Sequence, residues 1–148
     1  MIYWEDVEVG AVQRFGAYAV TREEVLAFAR AYDPQPFHLD DKAAAQSLFG
    51  RLSASGWHTC AMTMRMLVDH MTEQRMASLG SPGVDALRWL RPVHPGDTLS
   101  VETEVLSKRL LDSRPGVGIH KSRTSVFNQD EVEVMQFTAN MLSHCRPA

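Results

Sequence analysis

Apolar residues change their spacing along the chain, and the changes mark out its elements. The stretch VQRFGAYAV reads as a strand leading into a first helix. Thr21 and Glu24 form a T-x-x-E capping box, with Val20 and Val25 placed to pack across it as a hydrophobic staple. Val25, Phe28, Ala29 and Tyr32 recur at helical spacing. Pro34 ends that helix, because the residue before a proline is pushed out of the α region. Asp40 or Asp41 can cap a short helix through KAAAQSLF, ended by Gly50. The longest helical signal runs from about Ser55 to Glu73, where Trp57, Cys60, Ala61, Met64, Leu67, Val68 and Met71 keep the three-four spacing. Met62 and Met66 lie off that stripe, so the helix is apolar over much of its circumference and is expected to be buried.

From Val84 onward the pattern is that of strands. LSVETEV alternates Leu99, Val101 and Val105 against Ser100, Glu102 and Glu104. GIHKSRTSVF and VEVMQFTANML are further strands joined by the turn NQDE, and Pro95-Gly96-Asp97 marks the turn before Thr98. The order predicts an α+β fold in which a curved antiparallel sheet wraps one long helix. Such a sheet has an open edge, often covered by a second subunit, so a homodimer is expected.

At 148 residues the chain can bury a core unaided, and positions 1–148 read as one domain without internal repeats. A net charge of -3 with no Lys/Arg cluster argues against nucleic acid as partner. No apolar run approaches the roughly 18 residues of a membrane span. MIYWEDVEVG has no basic region followed by an apolar stretch, so no secretory signal is visible and the cytoplasm is the expected compartment. Cys60 and Cys145 stand far apart and are expected to be buried structural thiols. The histidines lack the three-or-four spacing that puts a pair on one ion, and no metal is expected.

Candidate chemistry concentrates in two places. In YDPQPFHLDD, Pro34 and Pro36 stiffen the segment between Asp33 and His38, as a site built on a loop requires. A carboxylate beside a histidine keeps it basic and able to exchange a proton with water. The alternative is a capping aspartate and a surface histidine in a proline-rich turn. In SASGWH, Gly56 permits close approach to a helix start, whose unpaired N–H groups suit a carbonyl oxygen gaining negative charge. Here the alternative is Ser55 as a plain N-cap followed by a permissive glycine. Ser53, Ser55 and Cys60 have no nucleophile elbow or adjoining base. Met62, Met64, Met66, Met71 and Met76 are core filling or the wall of an acyl pocket.

The run FARAYDPQPFHLDDKAAAQSLFGRLSASGWHTCAMTMRMLVD resembles the hydratase motif of the MaoC-like dehydratases, the (R)-specific enoyl-CoA hydratases of hot-dog fold. LRPVHPGDTLSVETEV resembles the strand-turn-strand after the family's central helix, and together the two passages cover about half the chain. The resemblance implies a sheet round the central helix with an overhanging hydratase-motif segment, paired as a homodimer or a dimer of dimers. It implies Asp33 and His38 as the catalytic dyad, and the Gly56 N–H as donor to the thioester carbonyl of an acyl-CoA. Ser55, Trp57, Phe37, Thr63 and Met64 become the candidate substrate-binding residues. The implied reaction is reversible addition of water to a trans-2-enoyl-CoA, giving an (R)-3-hydroxyacyl-CoA, with no cofactor beyond the coenzyme A of the substrate. A hot-dog thioesterase and a non-catalytic acyl-binding protein are the alternatives. Three places depart from the family pattern, the first being Ala31-Tyr32-Asp33-Pro34-Gln35-Pro36 where the family reads S-G-D-x-N-P before its histidine. Ser55 stands where A-H-G has its histidine, and Met64 where some members carry a serine, and both bear on the acyl pocket.

Overall fold

Alternating burial along three long strands and one-sided burial along one long helix define the architecture. The computed structural model describes all residues from Met1 to Ala148. Strand β1 (Val12–Ala19) is followed by helices α1 (Arg22–Tyr32), α2 (Asp41–Ala45) and α3 (Gly56–Glu73). Strands β2 (Ser78–Trp89), β3 (Thr98–Leu110), β4 (Val117–Phe127) and β5 (Glu133–His144) complete the chain, with one-turn 3-10 helices at Trp4–Asp6 and Pro36–His38. The strands form one antiparallel sheet in the order β1-β3-β4-β5-β2. The sheet packs on α3, which is the hot-dog arrangement.

Leu99 and Val101 of β3, Val126 of β4, and Met135 and Phe137 of β5 join Met62 and Met66 of α3 in one buried cluster. Each such side chain contributes about 1.5–3 kcal/mol by leaving water. Met66 reaches the sheet where β1 bulges between Phe15 and Tyr18. Its sulfur lies 2.5 Å from where a Cβ on Gly16 would stand, so only glycine fits, and φ of +85° there also favours it.

The core face of α3 differs from the expected stripe. His58, Thr59, Met62, Thr63 and Met66 are buried, whereas Trp57, Met64 and Val68 are 60, 48 and 43 % exposed. The helix is therefore buried on one face only. Three smaller expectations are also corrected. Helix α2 stops at Ala45, well short of Gly50, with Asp40 as its cap through Ala43 N–H at 2.8 Å. Strand β2 begins at Ser78, ahead of Val84, because register shifts around Gly80 and Gly83 hide its alternation. Cys60 and Cys145 are free thiols but only partly buried. At α1, Val20 and Val25 are both buried and Thr21 accepts from Glu24 N–H at 3.2 Å. The Glu24 carboxylate turns instead to the Tyr18 hydroxyl at 2.7 Å, so the box is only half formed. No helix is long and apolar enough to cross a membrane.

Two buried histidines give the fold a pH dependence. Burial pushes the His58 and His120 imidazoles below the ordinary value of 6.5, with the Lys108 charge adding to the effect at His120 and Glu24 opposing it at His58. The unfolded chain therefore takes up protons near that value which the folded chain refuses. This contribution is complete above the unfolded pKa and is lost as pH falls below it. Thermal melts should show a lower Tm at about pH 5.5 than at about pH 7.5, and His120→Gln should shrink the difference. Identical melting in wild type at the two pH values would contradict burial of neutral imidazoles.

Candidate active site

Asp33 closes α1. Its N–H bonds the Ala29 carbonyl at 2.9 Å, and its backbone has left the helix (φ −147°, ψ 66°) under the constraint of Pro34. Pro36 then starts the 3-10 turn that carries His38. The result pairs a buried histidine with a part-buried carboxylate: His38 is 4 % exposed, and its Nε2 stands 3.4 Å from Asp33 Oδ2. A surface histidine in a turn does not describe this arrangement. Phe37 meets the His38 ring edge-on at 4.7 Å, and Phe49 packs against both, 5.7 Å from His38 and 5.2 Å from Phe37.

Hydrogen bonding fixes which nitrogen of His38 carries the proton. Nδ1 lies 2.8 Å from the Ser53 carbonyl, which can only accept, so Nδ1–H donates to it. In the neutral ring Nε2 is then an acceptor facing a carboxylate. Asp33 is itself tuned. Burial opposes its ionisation, but the Gln35 side chain donating to Oδ1 at 2.6 Å, the nearby Ser55 hydroxyl and the His38 charge together hold its carboxyl below the usual value of 3.8. With Nε2 and Asp33 Oδ2 3.4 Å apart, a water reaching the pair can donate to either acceptor.

The start of α3 lies against this pair through Ser55. Ser55 occupies the N-cap position, yet its side chain makes no cap hydrogen bond. Its hydroxyl approaches Asp33 without reaching hydrogen-bond geometry, and like that of Ser53 it is buried without a partner. The plain N-cap reading therefore fails at the side chain. Gly56 heads the helix, where the first N–H groups have no intrahelical acceptor. The group that approaches Gly56 closely is the indole of Trp89, which donates from Nε1 to the Gly56 carbonyl at 2.9 Å. A Cβ at position 56 would sit 2.5 Å from that ring.

The structure brings Asp33, His38, Phe37, Ser55 and Gly56 together and separates the other candidates from them. Trp57 turns outward and meets Trp89 edge-on at 5.2 Å. The Thr63 hydroxyl donates to the Thr59 carbonyl of its own helix at 2.8 Å. Met64 lines a cavity of about 360 Å³ between the second half of α3 and the sheet, along with Leu67, Met71, Met76, Val105 and Met141. The methionines Met64, Met71 and Met76 thus form a pocket wall, while Met62 and Met66 fill the core. No dyad residue lines the cavity, but the face of α3 that starts at Gly56 continues past Cys60 to Met64 and Leu67. Sequence reasoning missed Trp89 and Gln35, and weighed Ser53 only as a nucleophile and His58 only as a metal ligand. Gln35 carried a signal, as the one amide between the two prolines. His58 stacks on Phe28 at 4.8 Å with its Nδ1 unpartnered. No three His, Cys, Asp or Glu side chains cluster as a metal site would require.

Gly56→Ala should force the Trp89 ring aside and destabilise the fold by about 1–3 kcal/mol, as overpacking does. With Trp89→Leu in the background the cost should shrink, leaving a coupling of about 1 kcal/mol in the double-mutant cycle. Urea unfolding of the four proteins measures this, and strictly additive costs would show that Trp89 is not what demands glycine.

The sequence profile of the MaoC like domain matches residues 6–126. The crystal structure of the MaoC-like dehydratase from Rhodospirillum rubrum is similar over the full length of both chains, with a TM-score of 0.91 and 40% identity. The unliganded R-hydratase PhaJ1 from Pseudomonas aeruginosa is 27% identical with a TM-score of 0.69, over 98% of this chain and 87% of that one. The uncharacterized protein YdeM of Bacillus subtilis (strain 168) is 27% identical over 138 residues, 93% of this chain and 96% of YdeM. The profile spans most of the sequence and the sheet wraps its helix in the same way, so the chain belongs to the MaoC-like dehydratase family.

Proposed function

We propose that this protein is an acyl-CoA hydratase/dehydratase, adding water reversibly to a trans-2-enoyl-CoA to give an (R)-3-hydroxyacyl-CoA. The observation that carries the reading is the commitment of His38 Nδ1 to the Ser53 carbonyl, which leaves a basic Nε2 beside an ionised Asp33. A water bound at the dyad loses a proton to Nε2 while its oxygen bonds to C3. The C2=C3 electrons shift toward the thioester oxygen, where the Gly56 N–H and the positive end of α3 stabilise the developing enolate. A proton returned to C2 from the dyad completes the addition, and dehydration runs the same steps backwards. Asp33 steadies the transient imidazolium. The scheme calls on no further cofactor, since coenzyme A arrives with the substrate. Against thioester hydrolysis stands the lack of an acid near Gly56 on α3: Asp69 and Glu73 lie at its far end, and Asp69 is paired with Arg65 at 3.0 Å.

In this reading the enzyme works as a homodimer joined along β2. That strand ends the sheet order with one side unpaired. Its Leu79, Val84 and Trp89 are exposed, as are Trp57, Met64 and Val68 of α3, and Trp57 meets Trp89 edge-on. Apolar edges of this kind are covered in stable proteins.

Mixed with crotonyl-CoA, the protein should bleach the enoyl absorbance without freeing thiol. Asp33→Asn and His38→Ala should each lower kcat by about 10²–10⁴, the range proton-transfer catalysis supplies. Combining them should cost little more, because groups acting as a unit are non-additive. His38→Ala also strips the Ser53 carbonyl of its donor, so a stability loss of about 1–3 kcal/mol is expected. A folded double variant that still hydrates at near wild-type rate, or thiol release by wild type, would overturn the scheme. For the assembly, sedimentation at micromolar concentration should give twice the 16.6 kDa chain mass, and Val84→Asp should shift it toward monomer. A wild-type monomer under those conditions would count against the dimer.

A further inference from the structure

The central strand of the sheet breaks the pattern of its neighbours. Along β4 the positions facing α3 are His120, Ser122, Thr124 and Val126, all buried. Three consecutive inward positions on the middle strand are therefore polar. His120 is 3 %, Ser122 5 % and Thr124 1 % exposed, and all three line the 360 Å³ cavity together with Thr103 on the adjoining strand. The opposite wall is apolar, made by Leu67 and Met71 of α3, while Met141 stands beside His120 on β5. His120 Nδ1 is buried and has no hydrogen-bond partner in the protein. Buried polar groups are ordinarily satisfied, and an unpaired one costs about 1–3 kcal/mol. A polar wall of this kind has a use if a ligand completes it.

We propose that the cavity receives the far end of an acyl chain bearing a neutral oxygen function, a hydroxyl or ketone, and that His120, Ser122 and Thr124 select for it. The inference rests on the hydratase reading, which places the thioester at Gly56. From there the helix face leads to Met64, eight residues on and so about 12 Å along the axis, which sets a chain long enough to span two helical turns. A neutral group fits better than a carboxylate. Asp6 and Glu8 stand among the lining residues, burial and the Lys108 charge keep His120 uncharged, and Lys108 itself donates to the Trp4 and Glu5 carbonyls. Neutral imidazole and hydroxyl groups can each donate and accept, which matches a hydroxyl or ketone and leaves a methyl end with nothing to offer. A site built to hydrogen-bond a substrate oxygen discriminates against the analogue lacking it, because its own polar groups are then left unpaired.

Hydration of trans-2-decenoyl-CoA and of its ω-hydroxy counterpart tests the selection. Wild type should favour the ω-hydroxy substrate in kcat/KM by about tenfold or more. Ser122→Ala/Thr124→Val should collapse that ratio toward one, with Ser122→Ala alone serving if the pair fails to fold. Equal or reversed preference in wild type, or a ratio unmoved in the folded variants, would overturn the selection while leaving the hydratase reading intact. If neither decenoyl thioester nor crotonyl-CoA is hydrated, the hydratase reading falls. Calorimetric titration with decanoyl-CoA and ω-hydroxydecanoyl-CoA then decides the cavity separately: tighter binding of the hydroxylated chain supports the polar wall, and equal or weaker binding removes it.

Discussion

The placement of α3 against the sheet rests on two contacts that come closer than any side chain but hydrogen allows. At Gly16 the Met66 side chain enters the space of a missing Cβ, and at Gly56 the Trp89 indole does the same. One contact fastens the middle of the helix to the β1 bulge, and the other fastens its first residue to the end of β2. Interiors are close-packed, so shifts at either point are transmitted rather than absorbed. The helix start is where the dyad segment docks, through the neighbouring Ser53 and Ser55. Packing on one side of α3 and proton chemistry at its start are therefore set by the same few atoms.

The site itself is held by backbone rather than by charge. His38 is oriented by a carbonyl of the segment leading into α3, and Asp33 by the end of α1 and by Gln35. This division lets the two reacting side chains keep their mutual gap of 3.4 Å without a direct strong bond consuming either. The adjacent turn repeats the logic: Asp97 accepts from His94 N–H and from Gln129, while His94 Nδ1 donates to the Leu52 carbonyl. Leu52 and Ser53 are thus pinned in succession by two histidines from different parts of the chain.

Local features were legible in the sequence. Thr21, Pro34 and the Pro95-Gly96-Asp97 turn act on the residues beside them, so their effects follow from composition and order alone. The Asp33–His38 pair was legible only in part: two prolines leave the intervening chain little freedom, but the choice against a capping aspartate and a surface histidine came from the family resemblance. The core face of α3 was not. Trp57, Met64 and Val68 on one side and Met62 and Met66 on the other are both apolar, and periodicity cannot say which set meets the sheet. The polar inner face of β4 was hidden too, because Lys121 and Arg123 make its outer face polar as well and no alternation marks the inside. Trp89 was out of reach altogether, since its role comes from a contact with a residue in another element.

The strand order β1-β3-β4-β5-β2 has a kinetic consequence. Strands β3, β4 and β5 follow one another through short turns and pair with their sequence neighbours, so they can form early at little loop-closure cost. Strand β1 must find β3 from far away, Val12 meeting Glu104, and β2 must find β5 across the whole meander, Trp89 meeting Met135 and Ser78 meeting Ser143. Asp33, His38, Gly56 and Trp89 all belong to these late-joining parts. A chain that has built its three-stranded meander has most of its sheet and none of its dyad. Recovery of activity during refolding is then expected to lag recovery of strand signal, and the same segments should be the first to open in native-state hydrogen exchange.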